Sequence, residues 1–402
     1  AWRWDSDTKV RFANDDALKA CGGTSPDAPS TGGPDRMLNT WVTLTRAKCV
    51  ADGTNASTGA VFTGEGDGHK AFEAGTADLT YSAVGPAFGE VETKRASVSV
   101  PIAAVAAVVG LLGGYYSSDP TWPEYLPKPF SDVKVTMDEV AVMLGQGSFV
   151  FDYGDFVNPT KFSALKARNS QMSSLQGSTL KPIQAPAAGD AVSWYTTGAL
   201  DSRAGADWKT APQELDGNPA NVPRSVHPSL ADADPPFAIS IAELYSSQSN
   251  LKKVAAAPFL QYQFGAIWVL TDLATARQLD IPTAALQNSR GEFVAATDVS
   301  LAAAVKGFEQ QPDGTFLPGK DGDAAGAYPL TFVEHVVAPK EPLLDADCAT
   351  RPATQKLVDD WLTYATGPGQ ARLPDGMVPL TPELTAAATA RRAEIGTAAV
   401  TG

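Results

Sequence analysis

The run from Val98 to Leu112, Val-Ser-Val-Pro-Ile-Ala-Ala-Val-Ala-Ala-Val-Val-Gly-Leu-Leu, constrains the fold of this 402-residue chain more than any other stretch. It is the most apolar segment of the sequence, yet at about fifteen residues it falls short of the ~20 that a membrane-spanning helix needs. Its β-branched residues and the internal Pro101 argue for a buried strand. Around it, strand-like and helix-like patterns alternate without repeats, which implies layered α/β architecture.

The expected elements can be placed along the chain. Asp35–Thr45 reads as a helix with Met37, Leu38, Trp41 and Leu44 on one face and Asp35 as its cap. A short helix is expected over 67–74, a strand over 77–82, and a helix from Thr136 to Met143. Residues 117–132 read as an irregular connection. The stretch 201–236 is a polar, Pro- and Asp-rich excursion, longer than structureless loops usually are. A helix over 240–248 and a strand over 261–270 follow. Residues 300–310 read as a helix with Leu301, Val305 and Phe308 inward, and 313–326 as a Gly/Asp-rich loop. A strand at 330–337 and two C-terminal helices separated by 367–376 close the sequence.

Composition removes several function classes. A hydrophobic share of 44% with 19% charged residues is that of a globular chain. The net charge of −14 argues against nucleic acid or an anionic membrane surface as partner. The three histidines, His69, His227 and His335, are scattered, so no zinc-type cluster is expected. The acidic pairs Asp232/Asp234, Asp321/Asp323 and Asp345/Asp347 do not continue into a calcium-loop pattern. With no nucleophile elbow and no phosphate-binding glycine loop before a helix, the expectation is a non-catalytic protein without a cofactor. No signal-peptide pattern opens the sequence, so Ala1 is expected to be a mature or an artificial start.

Two motifs carry a family resemblance. Ile183–Leu200 (Ile-Gln-Ala-Pro-Ala-Ala-Gly-Asp-Ala-Val-Ser-Trp-Tyr-Thr-Thr-Gly-Ala-Leu) reads as a β segment, a Gly-Asp turn and a helix start, the shape of an anion cradle. Gly64–Ala83 (Gly-Glu-Gly-Asp-Gly-His-Lys-Ala-Phe-Glu-Ala-Gly-Thr-Ala-Asp-Leu-Thr-Tyr-Ser-Ala) reads as a glycine-rich turn, a helix and a strand. Together they resemble the phosphate-specific extracytoplasmic solute-binding proteins of ABC importers. The apolar run, Phe264–Leu270 and Tyr328–Glu334 look similar too, and the resemblance spans about 60–145 and 180–402. It implies a two-lobed periplasmic-binding-protein-like fold (type II), with two chain crossovers and a cleft between the lobes. Lobe one would take 1–115 plus 326–402 and lobe two 116–325, with hinges near Gly113–Gly114 and Gly326–Tyr328.

The site departs from the family pattern. The arginine that should clamp phosphate falls on Pro186, the orienting acids fall on Ala83 and Ala188, and the donor positions fall on Asp190 and Val192. The resemblance places Asp67, Gly68, His69, Tyr81, Ser82, Asp190, Ala191, Ser193 and Trp194 in the cleft. Asp67 and Asp190 would face each other, either as plain helix caps or as carboxylates that repel phosphate. Tyr81, Trp194 and Tyr195 suit a cleft for a sugar or an organic cation, and equally a packed interlobe seam. His69 reads either as a residue that hydrogen-bonds a ligand or as a solvated first-turn residue. An extracytoplasmic location also implies an oxidising compartment, in which Cys21 and Cys49 would close a loop of about 28 residues, for roughly 3 kcal/mol. The other reading has both as buried thiols, and Cys348 is left over either way.

Three functions follow from these motifs. The first is a solute-binding-type protein that has lost phosphate and takes another small ligand. The second is a structural or surface-interaction protein on the same scaffold, and the third is a phosphate or oxyanion component of an importer. The expected partners are a small molecule and a membrane transporter or cell-surface protein, with no direct membrane insertion.

Overall fold

The structure, a computed structural model, describes residues 27–53, 60–85, 95–114, 128–129, 133–140, 151–152, 163–169, 179–184, 191–203, 265–278, 282–319 and 323–399. The chain enters as β1 (Thr31–Gly33) and a single 3-10 turn (Asp35–Met37), then α1 (Leu38–Asp52). The helix expected from Asp35 therefore begins later and runs further. The 3-10 turn puts Met37 rather than Asp35 at its N-cap, and Gly53 closes it in the left-handed conformation at φ 75°. Next come β2 (Ala60–Phe62), α2 (Glu65–Glu73), β3 (Leu79–Ser82) and the eighteen-residue β4 (Ser97–Gly114), which is the apolar run.

Short elements follow: β5 (Lys128–Pro129), β6 (Lys134–Val135), β7 (Phe151–Asp152), α3 (Ser163–Arg168) and β8 (Thr179–Gln184). The helical turn expected after Thr136 is present at 137–140, opened by a reciprocal cap. The Thr136 N–H donates to Glu139 Oε2 at 2.8 Å and the Glu139 N–H donates to Thr136 Oγ1 at 3.2 Å. The later elements are α4 (Ala191–Arg203), β9 (Gly265–Asp272), α5 (Leu273–Gln278), β10 (Ala285–Gln287), β11 (Phe293–Val294), α6 (Asp298–Val305), β12 (Phe308–Gln310), β13 (Phe316–Pro318), β14 (Thr331–Pro339), α7 (Pro352–Ala365) and α8 (Pro382–Arg392). The excursion at 201–236, apart from the end of α4, and the helix expected over 240–248 lie outside the described residues.

The fold is two-lobed α/β, and one strand belongs to both halves. Residues 97–106 of β4 pair antiparallel with β14, in a sheet ordered β2-β1-β3-β14-β4. Residues 107–114 pair antiparallel with β9, and this second ladder continues to β8 and β7. The hydrogen-bonded path of eight strands is thus continuous, with β5 paired to β4 beside it, and the chain changes sheets between Ala106 and Ala107, ahead of Gly113–Gly114. A strand covered on both faces has to be apolar on both, and Val98, Val100 and Ile102–Val109 are all buried.

Two expectations change. The helix expected to reach Gln310 stops at Val305. Phe308 instead starts β12, which pairs antiparallel with β13 inside the segment expected to be a loop. Gly307 gives the chain its break, and its carbonyl accepts from the Gly319 N–H at 3.0 Å to close the hairpin. The hairpin also lies against the first sheet, although its sequence falls in the stretch expected in the other lobe. The Ser99 N–H donates to the Asp313 carbonyl at 2.9 Å, and the Phe316 N–H donates to His335 Nε2 at 3.1 Å.

The β4–β14 register slips between Glu334 and His335, where Glu334 faces Ala103 and His335 faces Pro101. Ile102 is the extra residue, and its carbonyl accepts from Gln370 Nε2 at 2.9 Å. The bulge accommodates a proline inside a central strand, where its missing N–H would otherwise break the ladder. It also sets His335 against Phe316, with rings stacked 6.2 Å apart. Burial keeps this imidazole neutral, pushing its pKa down to about 4. The unfolded chain, with an ordinary histidine, takes up the proton first as pH falls. Stability is therefore full above about pH 6.5 and is lost toward pH 4, by about 2–3 kcal/mol at pH 4.5. Urea unfolding at pH 7.5 and pH 4.5 should show a loss smaller by that amount in His335→Gln than in the unchanged protein.

Candidate functional site

The site is built on the first residue of α2. Helix α2 packs so closely on β1 that a side chain at Gly68 would come within 2.8 Å of the Gly33 backbone. That contact fixes the helix, and its first turn puts Glu65 inward, 1% exposed. An acidic residue at a helix N-terminus suits the dipole, but one this buried needs hydrogen-bond donors of its own.

Four donors meet the Glu65 carboxylate. Oε1 accepts from the Ala83 N–H at 2.7 Å and from the Ser82 hydroxyl at 2.8 Å. Oε2 accepts from Arg36 Nη2 at 2.9 Å and from the Ala191 N–H at 3.0 Å. The Ser82 oxygen in turn accepts from the Val84 N–H at 3.1 Å, which orients its proton. Ser82 and Ala83 stand at the end of β3 in the first sheet. Ala191 opens α4, which follows β8 of the second ladder. One side chain therefore ties the two halves together.

Arg36 is held from the other side by Glu334. Its Nε donates to Oε1 at 2.6 Å and its Nη2 to Oε2 at 3.3 Å, the forked geometry that suits a guanidinium. Phe332, two residues earlier on the same face of β14, lies under the guanidinium at 5.7 Å. Tyr195, one turn into α4, stacks on Phe332 at 5.0 Å and donates its hydroxyl to the Ala83 carbonyl at 2.8 Å. Burial drives the phenols of Tyr81 and Tyr195 well above their usual range, so both stay neutral and Tyr195 keeps its proton for the bond to Ala83.

The residues expected in the cleft divide into two sets. Ser82 and Ala191 join the cluster, as donors to Glu65. Asp67 does not: it is exposed, takes a hydrogen bond from the Thr63 hydroxyl at 3.2 Å, and the N-cap position belongs to Gly64. Gly68 serves helix packing. His69 is fully buried rather than solvated, and burial lowers its pKa. Tyr81 belongs to the core, against Phe62 at 5.8 Å and Trp361 at 6.3 Å. Trp194 is 42% exposed, edge-on to Tyr195. Asp190 and the side chain of Ser193 lie outside the described residues, as do Pro186, Ala188 and Cys21. Cys49 is buried on α1, and Cys348 is free and exposed.

Sequence reasoning missed Glu65, Arg36 and Glu334. One signal was available, since Glu334 is the single charge inside Leu330–Ala338. A carboxylate in a strand buried throughout requires a cation from elsewhere in the chain. Two hydrogen-bonded carboxylates sharing a guanidinium make a binding and clamping arrangement. Among the described residues no group of three or more His, Cys, Asp or Glu side chains could hold a metal ion.

No protein-family model matches the chain, and no curated protein matches it. Several solved structures are similar. One is a possible phosphate binding protein from Planctomyces limnophilus, 11% identical over 91% of this chain and 98% of that one, with a TM-score of 0.44. Another is a high-affinity periplasmic phosphate-binding protein solved with phosphate bound, 13% identical over 90% and 93%, with a TM-score of 0.49. A third is a phosphate binding protein from Stenotrophomonas maltophilia, 14% identical over 92% and 94%, with a TM-score of 0.47. They are proteins of the kind that the two motifs resemble.

Removing the shared cation should leave both carboxylates buried without it. Arg36→Met is expected to cost about 3–5 kcal/mol in urea unfolding, and adding Glu334→Leu should recover part of that loss.

Proposed function

We propose that this chain is a non-catalytic, extracytoplasmic protein of solute-binding type that does not take up phosphate. The observation that carries the reading is the Glu65 carboxylate, which accepts the N–H, hydroxyl and guanidinium donors that an oxyanion in the cradle would need. A phosphate dianion entering there would have to displace a buried carboxylate with a second one, Glu334, still on the same arginine. The expected repulsion of phosphate by a protein carboxylate is kept in this reading, with Glu65 in the part assigned to Asp67.

The buried seam favours a structural or surface-interaction role over uptake of a new ligand at this point. Tyr81, Tyr195 and Phe332 are packed side chains here, and the partner would be a cell-surface protein or a membrane transporter. Among the described residues no helix is long and apolar enough to cross a membrane. The lobe boundaries remain those of the family resemblance, 1–115 plus 326–402 and 116–325, with the 308–318 hairpin docked on the first sheet.

Calorimetry near neutral pH should detect no phosphate binding at micromolar concentrations, and native mass spectrometry should show no co-purified phosphate. Tight binding in the cleft would overturn the reading. An oxidising location further calls for the Cys21–Cys49 pair, which is supported by Cys49 not standing as a free thiol while Cys348 does. Thiol counting under denaturing, non-reducing conditions should find one reactive group, and three would refute the pairing.

A further inference from the structure

We infer that Glu65 is a tethered ligand: Arg36, Ser82 and the N–H groups of Ala83 and Ala191 form an anion site that the chain fills with its own carboxylate, holding the cleft closed without a solute. This deepens the reading above and can fail separately from it. The donors are the first argument. A carboxylate serving only as a helix-start residue would face water or its own helix N–H groups. Glu65 instead takes hydrogen bonds from residues 17, 18 and 126 positions away in the chain, and from Arg36 29 positions before it.

Burial is the second argument. The Arg36 and Glu65 side chains are 3% and 0% exposed, so the pair is desolvated and each group depends on the other. Connectivity is the third. The carboxylate links the end of β3 to the start of α4, and the Tyr195 hydroxyl makes a second link between the same two elements, to the Ala83 carbonyl. A bound solute closes a two-lobed protein by bridging its halves with such hydrogen bonds. Here the bridge is covalently part of one half, so its effective concentration in the site is high and it pays little entropy to bind.

The charge count names the class of free ligand the site would accept. Among the described residues the Arg36 guanidinium is the one cation paired with Glu65, and Glu334 already neutralises one side of it. What remains suits a small monoanion with planar oxygens, a carboxylate, better than a dianion.

Chemical rescue tests this on the full chain. Glu65→Ala should melt lower than the unchanged protein. Sodium acetate or formate should then restore about half or more of that loss, saturably, against sodium chloride at equal ionic strength. The unchanged protein should not respond, and Glu65→Ala combined with Arg36→Met should lose the rescue. No rescue in Glu65→Ala, or an equal response in the unchanged protein, overturns the inference. Rescue by phosphate in place of acetate would overturn the assigned class of ligand, while phosphate binding by the unchanged protein would overturn the reading of the previous section instead. Should Glu65→Ala fail to fold, Glu65→Gln keeps the shape of the side chain but puts an NH2 against one pair of donors. Hydrogen exchange at the Ala83 or Ala191 amide should then speed up at least tenfold, and unchanged protection of both would overturn the inference.

Discussion

A guanidinium and two carboxylates buried together set the terms for the rest of this molecule. Taking three charges out of water costs several kcal/mol for each, and only good geometry with further hydrogen bonds offsets it. Arg36 meets Glu334 through a fork and Glu65 through Nη2, while Glu65 fills its other acceptor sites with a hydroxyl and two backbone N–H groups. Those partners are spread over the 3-10 turn at Asp35–Met37, the end of β3, β14 and the start of α4. The cluster can be satisfied only if the 3-10 turn, α2, β3, β14 and α4 all hold their places, so the cost of the charges becomes a demand for one specific packing.

The long strand makes that packing reachable. Because β4 serves β14 with its first half and β9 with its second, the two ladders share a rigid backbone. The bulge that accommodates Pro101 falls beside Glu334, so the irregularity of the strand and the placement of the charge coincide. On the other face of β14, the same bulge sets His335 between the sheet and the 308–318 hairpin, where burial keeps it neutral.

A cradle of this kind usually implies an incoming anion. Here a carboxylate of the chain itself, Glu65, stands among the donors, which separates the shape of such a cradle from its use. Fold-level likeness alone says little about function. The functional argument therefore rests on which atoms face which, and those atoms describe a clamp.

The sequence by itself determined the apolar strand, the alternation of strands and helices, the turn-helix-strand block at 64–83 and the helix that follows Gly189, because each is written in local periodicity and turn residues. Laid against the family resemblance, residues 185–193 also read as lacking the usual phosphate donors. The carboxylate in the cradle was decided only by tertiary structure. Glu65 and Asp67 stand two residues apart on a nine-residue helix, about 200° around its axis, so one must face in when the other faces out. The helix sequence, Glu-Gly-Asp-Gly-His-Lys-Ala-Phe-Glu, has too few apolar residues to fix which. The close approach of Gly68 to Gly33 sets the rotation, and that contact is invisible along the chain. Arg36 and Glu334 were hidden for a related reason: 298 positions separate them, and no local pattern marks a pair that only the folded sheet brings together.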